Sequence, residues 1–166
     1  MADPMPRYQH TQPATVIRVC LLATVLAAVV LAAVIPVPEE DLTTHRLVCL
    51  AVAASMAILT DLFWSLTVTV TGHRLAWHFG PGFIRKSVPL DEIASAAPTR
   101  TTFWAGWGIH WMPRGWVYNV SGFRAVEVRL KSGKAFVLGT DEPDALAAAV
   151  RAAAGLAPES PAEPVA

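Results

Sequence analysis

Two long apolar runs near the start of the chain constrain its fold more than any other feature. Residues 19–35 read VCLLATVLAAVVLAAVI, without one charged side chain. With flanking residues 15–18 and 36–37 the run reaches about 20 residues. At ~1.5 Å per residue that spans a ~30 Å hydrocarbon core. A polar stretch, PEEDLTTHR, separates it from a second run over residues 47–66, broken only by Asp61. The hydrophobic fraction of 54% and mean hydropathy of +0.43 are high for 166 residues, and the excess sits in these runs. Together they predict a transmembrane hairpin over 15–66, with helices at about 15–37 and 47–66. A cleaved signal peptide is the rival reading. Its apolar core is typically ~7–15 residues, shorter than this one. The end of the first run, AAVIPVPEE, is also a poor cleavage site, and a second run follows at once.

Basic residues near the helix ends set the expected orientation. Arg7 and Arg18 flank the start of the first span, and Arg74, Arg85 and Lys86 follow the second. The connecting loop holds Arg46 beside Glu39, Glu40 and Asp41. This asymmetry predicts both termini in the cytoplasm. Residues 1–14, polar and proline-bearing, read as a flexible cytoplasmic tail. Trp64 suits an interfacial anchor at the cytoplasmic end of the second span. Arg18 and Asp61 lie toward that same end, about one helical turn apart in depth. An intramembrane ion pair between them is expected, because an unpaired charge at membrane depth is costly. Ala28 and Ala32, like Ala53 and Ala57, have the small-residue spacing of close helix packing. It serves packing within the hairpin and homodimerisation equally well.

At Leu66 the periodicity changes from helical to alternating. Leu66-Thr67-Val68-Thr69-Val70-Thr71 reads as a strand with one buried face. Further strands are expected around Leu75–Phe79, 83–88, 94–101, 115–119, 126–130 and 136–138, about seven in all. Between them, residues 103–120 hold four tryptophans interspersed with glycines, expected as a long loop entering a strand near Gly115. The chain then predicts one amphipathic helix. Thr140 or Asp141 would cap it, Pro143 and Asp144 fall in its first turn, and Leu146, Ala149, Val150 and Ala153 form its apolar face. Gly155 stops it, and residues 155–166 read as a disordered tail.

Strands closed by a C-terminal helix resemble the pleckstrin-homology-like (PH-like) fold. More closely, the chain resembles bacterial two-helix membrane proteins that carry a PH-like domain. The stretches that carry the likeness are Phe79-Gly80-Pro81-Gly82 leading into Ile84-Arg85-Lys86, then Gly106-Trp107-Gly108-Ile109. Tyr118-Asn119-Val120-Ser121-Gly122 and Gly139-Thr140-Asp141-Glu142-Pro143 complete the set. With the helices they cover roughly residues 15–153. The resemblance implies a membrane α-helical hairpin plus a mainly-β PH-like domain over 67–154, of about seven antiparallel strands and a closing helix. It does not carry phosphoinositide recognition. Domains with that activity place several basic residues around the first hairpin loop, and here the loop offers only His73 and Arg74. One fold hosts many functions, so activity has to be argued from residues.

Catalytic motifs are not found. There is no GxSxG elbow, no HExxH, no P-loop and no complete GxGxxG. His78 and His110 lack a third ligand at sensible spacing, so no metal is expected. Cys20 and Cys49 lie inside apolar runs and form no disulfide framework. No cofactor is implied, and zero net charge gives no field suited to nucleic acid. An enzyme of unrecognised type would need a deep polar pocket around His78, His110 and Arg100.

The tryptophan-rich stretch is the unusual feature. One reading makes Trp104, Trp107 and Trp111, with Arg100, Arg114 and Arg124, a surface for the bilayer or a protein partner. The other makes the tryptophans core. A split is expected, with Trp107 and Trp116 inside and Trp104 or Trp111 more exposed. Between Leu66 and Ala153 ten basic residues face six acidic ones, a mild excess that suits an anionic leaflet. The sequence therefore predicts a non-enzymatic scaffold or accessory subunit at the bacterial inner membrane, binding a protein partner. An anionic-lipid sensor is the alternative.

Overall fold

The computed structural model describes residues 6–34, 36, 38–102, 106–113 and 115–157. Two helices dominate its first half, α1 (Thr15–Val34) and α2 (Leu42–Leu62), joined through a single 3-10 turn at Glu39–Asp41. Both are long and apolar enough to cross a membrane, and neither buries a residue inside the structure. Val19, Leu22, Leu26, Leu50 and Ile58 all present their side chains outward. The half-buried positions Arg18, Leu21, Val25, Ala28 and Ala32 of α1 recur every three to four residues. So do Leu42, His45, Cys49, Ala53, Met56 and Thr60 of α2. These stripes are where the helices pack on each other. Three of the four alanines singled out in the sequence lie on them; Ala57 does not.

Residues 8–13, expected as tail, are a strand. β1 (Tyr8–Pro13) pairs antiparallel with β2 (Ser65–Val70), from Tyr8 opposite Val70 to Pro13 opposite Ser65. The helical hairpin is therefore an insertion between two adjacent strands of one sheet. The hydrophobic pattern could not reveal β1, because its inward side chains are polar. Tyr8, His10 and Gln12 share the face of Val70, Val68 and Leu66, and each makes a side-chain hydrogen bond, Tyr8 also packing against the core.

β3 (Arg74–Phe79) and β4 (Ile84–Pro89) complete a sheet of order β1-β2-β3-β4. The second sheet contains β5 (Ile93–Arg100), β6 (Gly108–Met112), β7 (Gly115–Asn119), β8 (Arg124–Leu130) and β9 (Ala135–Gly139), in the order β5-β8-β9-β7-β6. β6 lies where a loop was expected. β7 runs parallel to β9, so this sheet is mixed rather than wholly antiparallel. The cause is the turn at residues 120–123. It carries the chain from β7 across to β8, and β9 later fills the gap between them. At Gly115, φ is +126° and an added Cβ would lie 1.9 Å from the Ala135 carbonyl oxygen, so only glycine lets β7 and β9 come this close.

The core lies between the sheets. Trp77 stacks on Phe136 with ring centroids 4.9 Å apart and meets Tyr118 at 5.1 Å. Leu66, Val68, Phe79, Val126, Val128 and Leu138 surround this aromatic group. Helix α3 (Pro143–Ala154) closes the remaining opening with Leu146, Ala147 and Val150. Arg151 donates from Nη1 to the Ala96 carbonyl, tying α3 to β5. Gly155 ends the helix at φ +67°, as its position in the sequence predicts.

Candidate interaction surfaces

The base of the helical hairpin is built from four segments distant in sequence. The Ala14 N–H donates to the Trp64 carbonyl at 3.0 Å, clasping the two helix ends together. The Arg18 guanidinium lies 3.6 Å from the centre of the Trp64 ring. This contact replaces the expected Arg18–Asp61 ion pair, which is not among the salt bridges of the described residues. A cation over an indole face is an adequate partner, worth roughly 0.5–2 kcal/mol. The ring is in reach because the chain bends at Phe63 and Trp64 to enter β2.

The third segment is the β3–β4 turn. Gly80 donates to the Ser65 carbonyl at 2.9 Å, and its φ is +42°. An added Cβ would strike the Asp61 and Leu62 carbonyl oxygens at 2.5 and 2.7 Å. The turn is thus seated against the last turn of α2. Phe63 meets Phe79 edge-on at 5.3 Å beneath it. Phe83, on the same turn, is 81% exposed. Its place at the hairpin base escaped the sequence reading, although the Gly-Pro-Gly-Phe order marks the turn. The fourth segment is the turn after β7. Gln12 donates from Nε2 to the Ser121 carbonyl at 3.0 Å, which draws Gly122, Phe123 and Arg124 next to the start of α1.

The tryptophan-rich stretch is divided by β6. Trp107 is half-buried and lies 6.2 Å from the Phe123 ring, toward the hairpin base. Arg100 and Arg124 face each other across β5 and β8 at that same end, both exposed. Trp111 and Trp116 are cross-strand partners at the opposite end of the β6–β7 hairpin, 66% and 45% exposed. Trp116, expected inside, is therefore at the surface. It sits near the Met112–Gly115 end of the hairpin, where Lys86 of β4 reaches over its ring at 5.4 Å. Among the described residues, the buried tryptophan of the core is Trp77. Trp104 and Arg114 lie outside the described residues.

His78 and His110 do not converge. His78 lines a groove on the first sheet that includes neither His110 nor Arg100. His110 sits on β6, where burial lowers its pKa below the usual imidazole range. Among the described residues no group of three or more His, Cys, Asp or Glu could hold a metal ion.

Asp141 does not cap α3. His10 Nε2 lies 2.5 Å from its carboxylate, and His10 Nδ1 lies 3.5 Å from Glu142. Thr140 does not cap the helix either: it accepts at 3.1 Å the N–H of Glu142, the N-cap residue itself, and no side chain caps α3. The Tyr8 hydroxyl donates to Glu142 at 3.3 Å. Desolvation and the neighbouring Glu142 carboxylate push the Tyr8 pKa up to about 12. This cluster ties β1 to the start of α3, and no spacing in the sequence announces it. Comparison with protein-family models, curated proteins and solved structures finds no match for this chain.

Proposed function

We propose that this protein is a membrane-anchored, non-enzymatic module of PH-like architecture, acting as a scaffold or accessory subunit at the inner face of a bacterial plasma membrane. The helices then form the anchor, with both termini cytoplasmic, as the charge asymmetry of the flanking residues favours. An outward apolar surface of this extent on a helix pair needs a bilayer or a partner to cover it. The PH-like reading is supported by topology. Without the two inserted hairpins, the domain reduces to a four-stranded sheet, a three-stranded antiparallel sheet β5-β8-β9 and a closing C-terminal helix.

The observation that carries the scaffold reading is the exposed pair Trp111 and Trp116 on the edge hairpin of the second sheet. Exposed aromatic side chains on an edge strand are costly to leave bare, and tryptophan is a favoured interface anchor. The test is photo-crosslinking in native membranes from position 111. One discrete adduct is expected, lost when Trp116 is replaced by Ser; a smear or no adduct refutes the reading. A reporter fused at Ala166 should be active only in the cytoplasm.

The alternative, an anionic-lipid sensor, has its own support in Arg100, Arg124, Trp107 and Phe123 gathered beside the start of α1. Membranes that retain their crosslinked partner after Arg100→Gln/Arg124→Gln favour the scaffold over the sensor.

A further inference from the structure

The outward face of the first sheet is polar and hollow. Thr69 of β2, Ala76 of β3 and Ser87 of β4 lie side by side across three strands. The small Ala76 side chain leaves a trough between two hydroxyl-bearing neighbours. The groove encloses about 440 Å³. Arg74 stands at one end and Arg85 at the other, opposite His78. Arg74 and His78 are four residues apart on one strand, about 13 Å. Two arginine side chains of ordinary reach can therefore close on one ligand at the centre.

Charge makes the groove selective. No carboxylate lines it, and neither Arg74 nor Arg85 enters a salt bridge among the described residues. Arg85 is oriented by donating from Nε to the Gly82 carbonyl at 2.9 Å. Its terminal nitrogens remain for a second acceptor. Two guanidinium groups with hydroxyls between them match the tetrahedral oxygens of a phosphate, which arginine binds with paired hydrogen bonds.

Position suggests the source. The Arg85 end of the groove adjoins the turn that seats on α2, where Phe83 projects. An apolar side chain beside a cationic slot at the base of an apolar hairpin fits the boundary between acyl chains and headgroups.

We propose that this groove is a phosphate-anion site and that it takes the headgroup phosphate of an anionic phospholipid from the adjoining leaflet. The lipid source rests on the membrane-anchor reading above; the phosphate chemistry does not. The test uses the full chain in a neutral detergent. Binding is titrated with micelles containing phosphatidylglycerol, with phosphatidylcholine micelles, and with sodium phosphate or glycerol phosphate. Phosphatidylglycerol should bind, phosphatidylcholine should not, and R74Q/R85Q should weaken binding at least tenfold while the near-ultraviolet signal of the buried Trp77 is unchanged. K131Q/K134Q removes the same charge from the exposed β8–β9 turn of the other sheet and should change binding less than twofold.

Equal binding of soluble phosphate, lost in R74Q/R85Q, keeps the site and overturns the lipid source. Binding that survives R74Q/R85Q but fails in R100Q/R124Q overturns the groove. A folded R74Q/R85Q protein that binds like the parent also overturns it.

Discussion

The domain carries two insertions of opposite character. The α1–α2 hairpin interrupts β1 and β2, and the β6–β7 hairpin interrupts β5 and β8; each flanking pair of strands is hydrogen-bonded directly. Both insertions present apolar side chains outward. The helical one lends almost nothing to the core beyond a partial contact from Ile17. The β one supplies Tyr118 to the central aromatic group. An insertion whose side chains leave the core untouched is separable from the fold. One that shares its core residues is part of the fold and can only offer its far end to a partner.

The strongest way to break this contrast is to excise residues 15–62 and join Ala14 to Phe63 through a short turn. Pro13 and Ser65 are already strand partners, so closure needs little chain. The shortened protein should be soluble without detergent and retain its β circular dichroism. A molten product would show that the helices stabilise the sheet.

Next in size is Trp77→Ala, which empties the space against Phe136 and Tyr118. It should cost about 3–5 kcal/mol in denaturant unfolding of the shortened domain. Trp111→Ser removes an equally large side chain from the surface and should change stability by no more than about 0.5 kcal/mol. A comparable loss at both positions would erase the distinction between core and surface tryptophans.

Gly80→Ala tests the seat between the β domain and the helical hairpin. Positive φ and the collision with the α2 carbonyls should together cost about 2 kcal/mol or more. Limited proteolysis should then cut first at the junction near Trp64.

The smallest effect belongs to Tyr8. Its folded pKa, pushed up to about 12, lies above the ordinary tyrosine value of 10. The protonated phenol is therefore favoured by folding, and that stability is full below pH 10 and lost as pH rises toward 12. Tyr8→Phe should flatten this alkaline limb of the stability profile, read by chemical denaturation at stepped pH.

Local pattern was enough wherever neighbours in sequence are also neighbours in space. The long apolar runs specify the two helices because length and apolarity are properties of the segment alone. Alternation specifies β2 and β3, and Gly155 the end of α3, for the same reason. Only tertiary structure could decide what depended on partners distant in sequence. β1 became a strand because Tyr8, His10 and Gln12 find hydrogen bonds on Glu142, Asp141 and Ser121. Arg18 found an indole rather than a carboxylate because the chain turns at Trp64. Trp77 went inside and Trp116 outside although both alternate with apolar neighbours, since burial depends on what the opposite sheet covers. A side chain's chemistry is written in the sequence, whereas its surroundings exist only once the strands have paired.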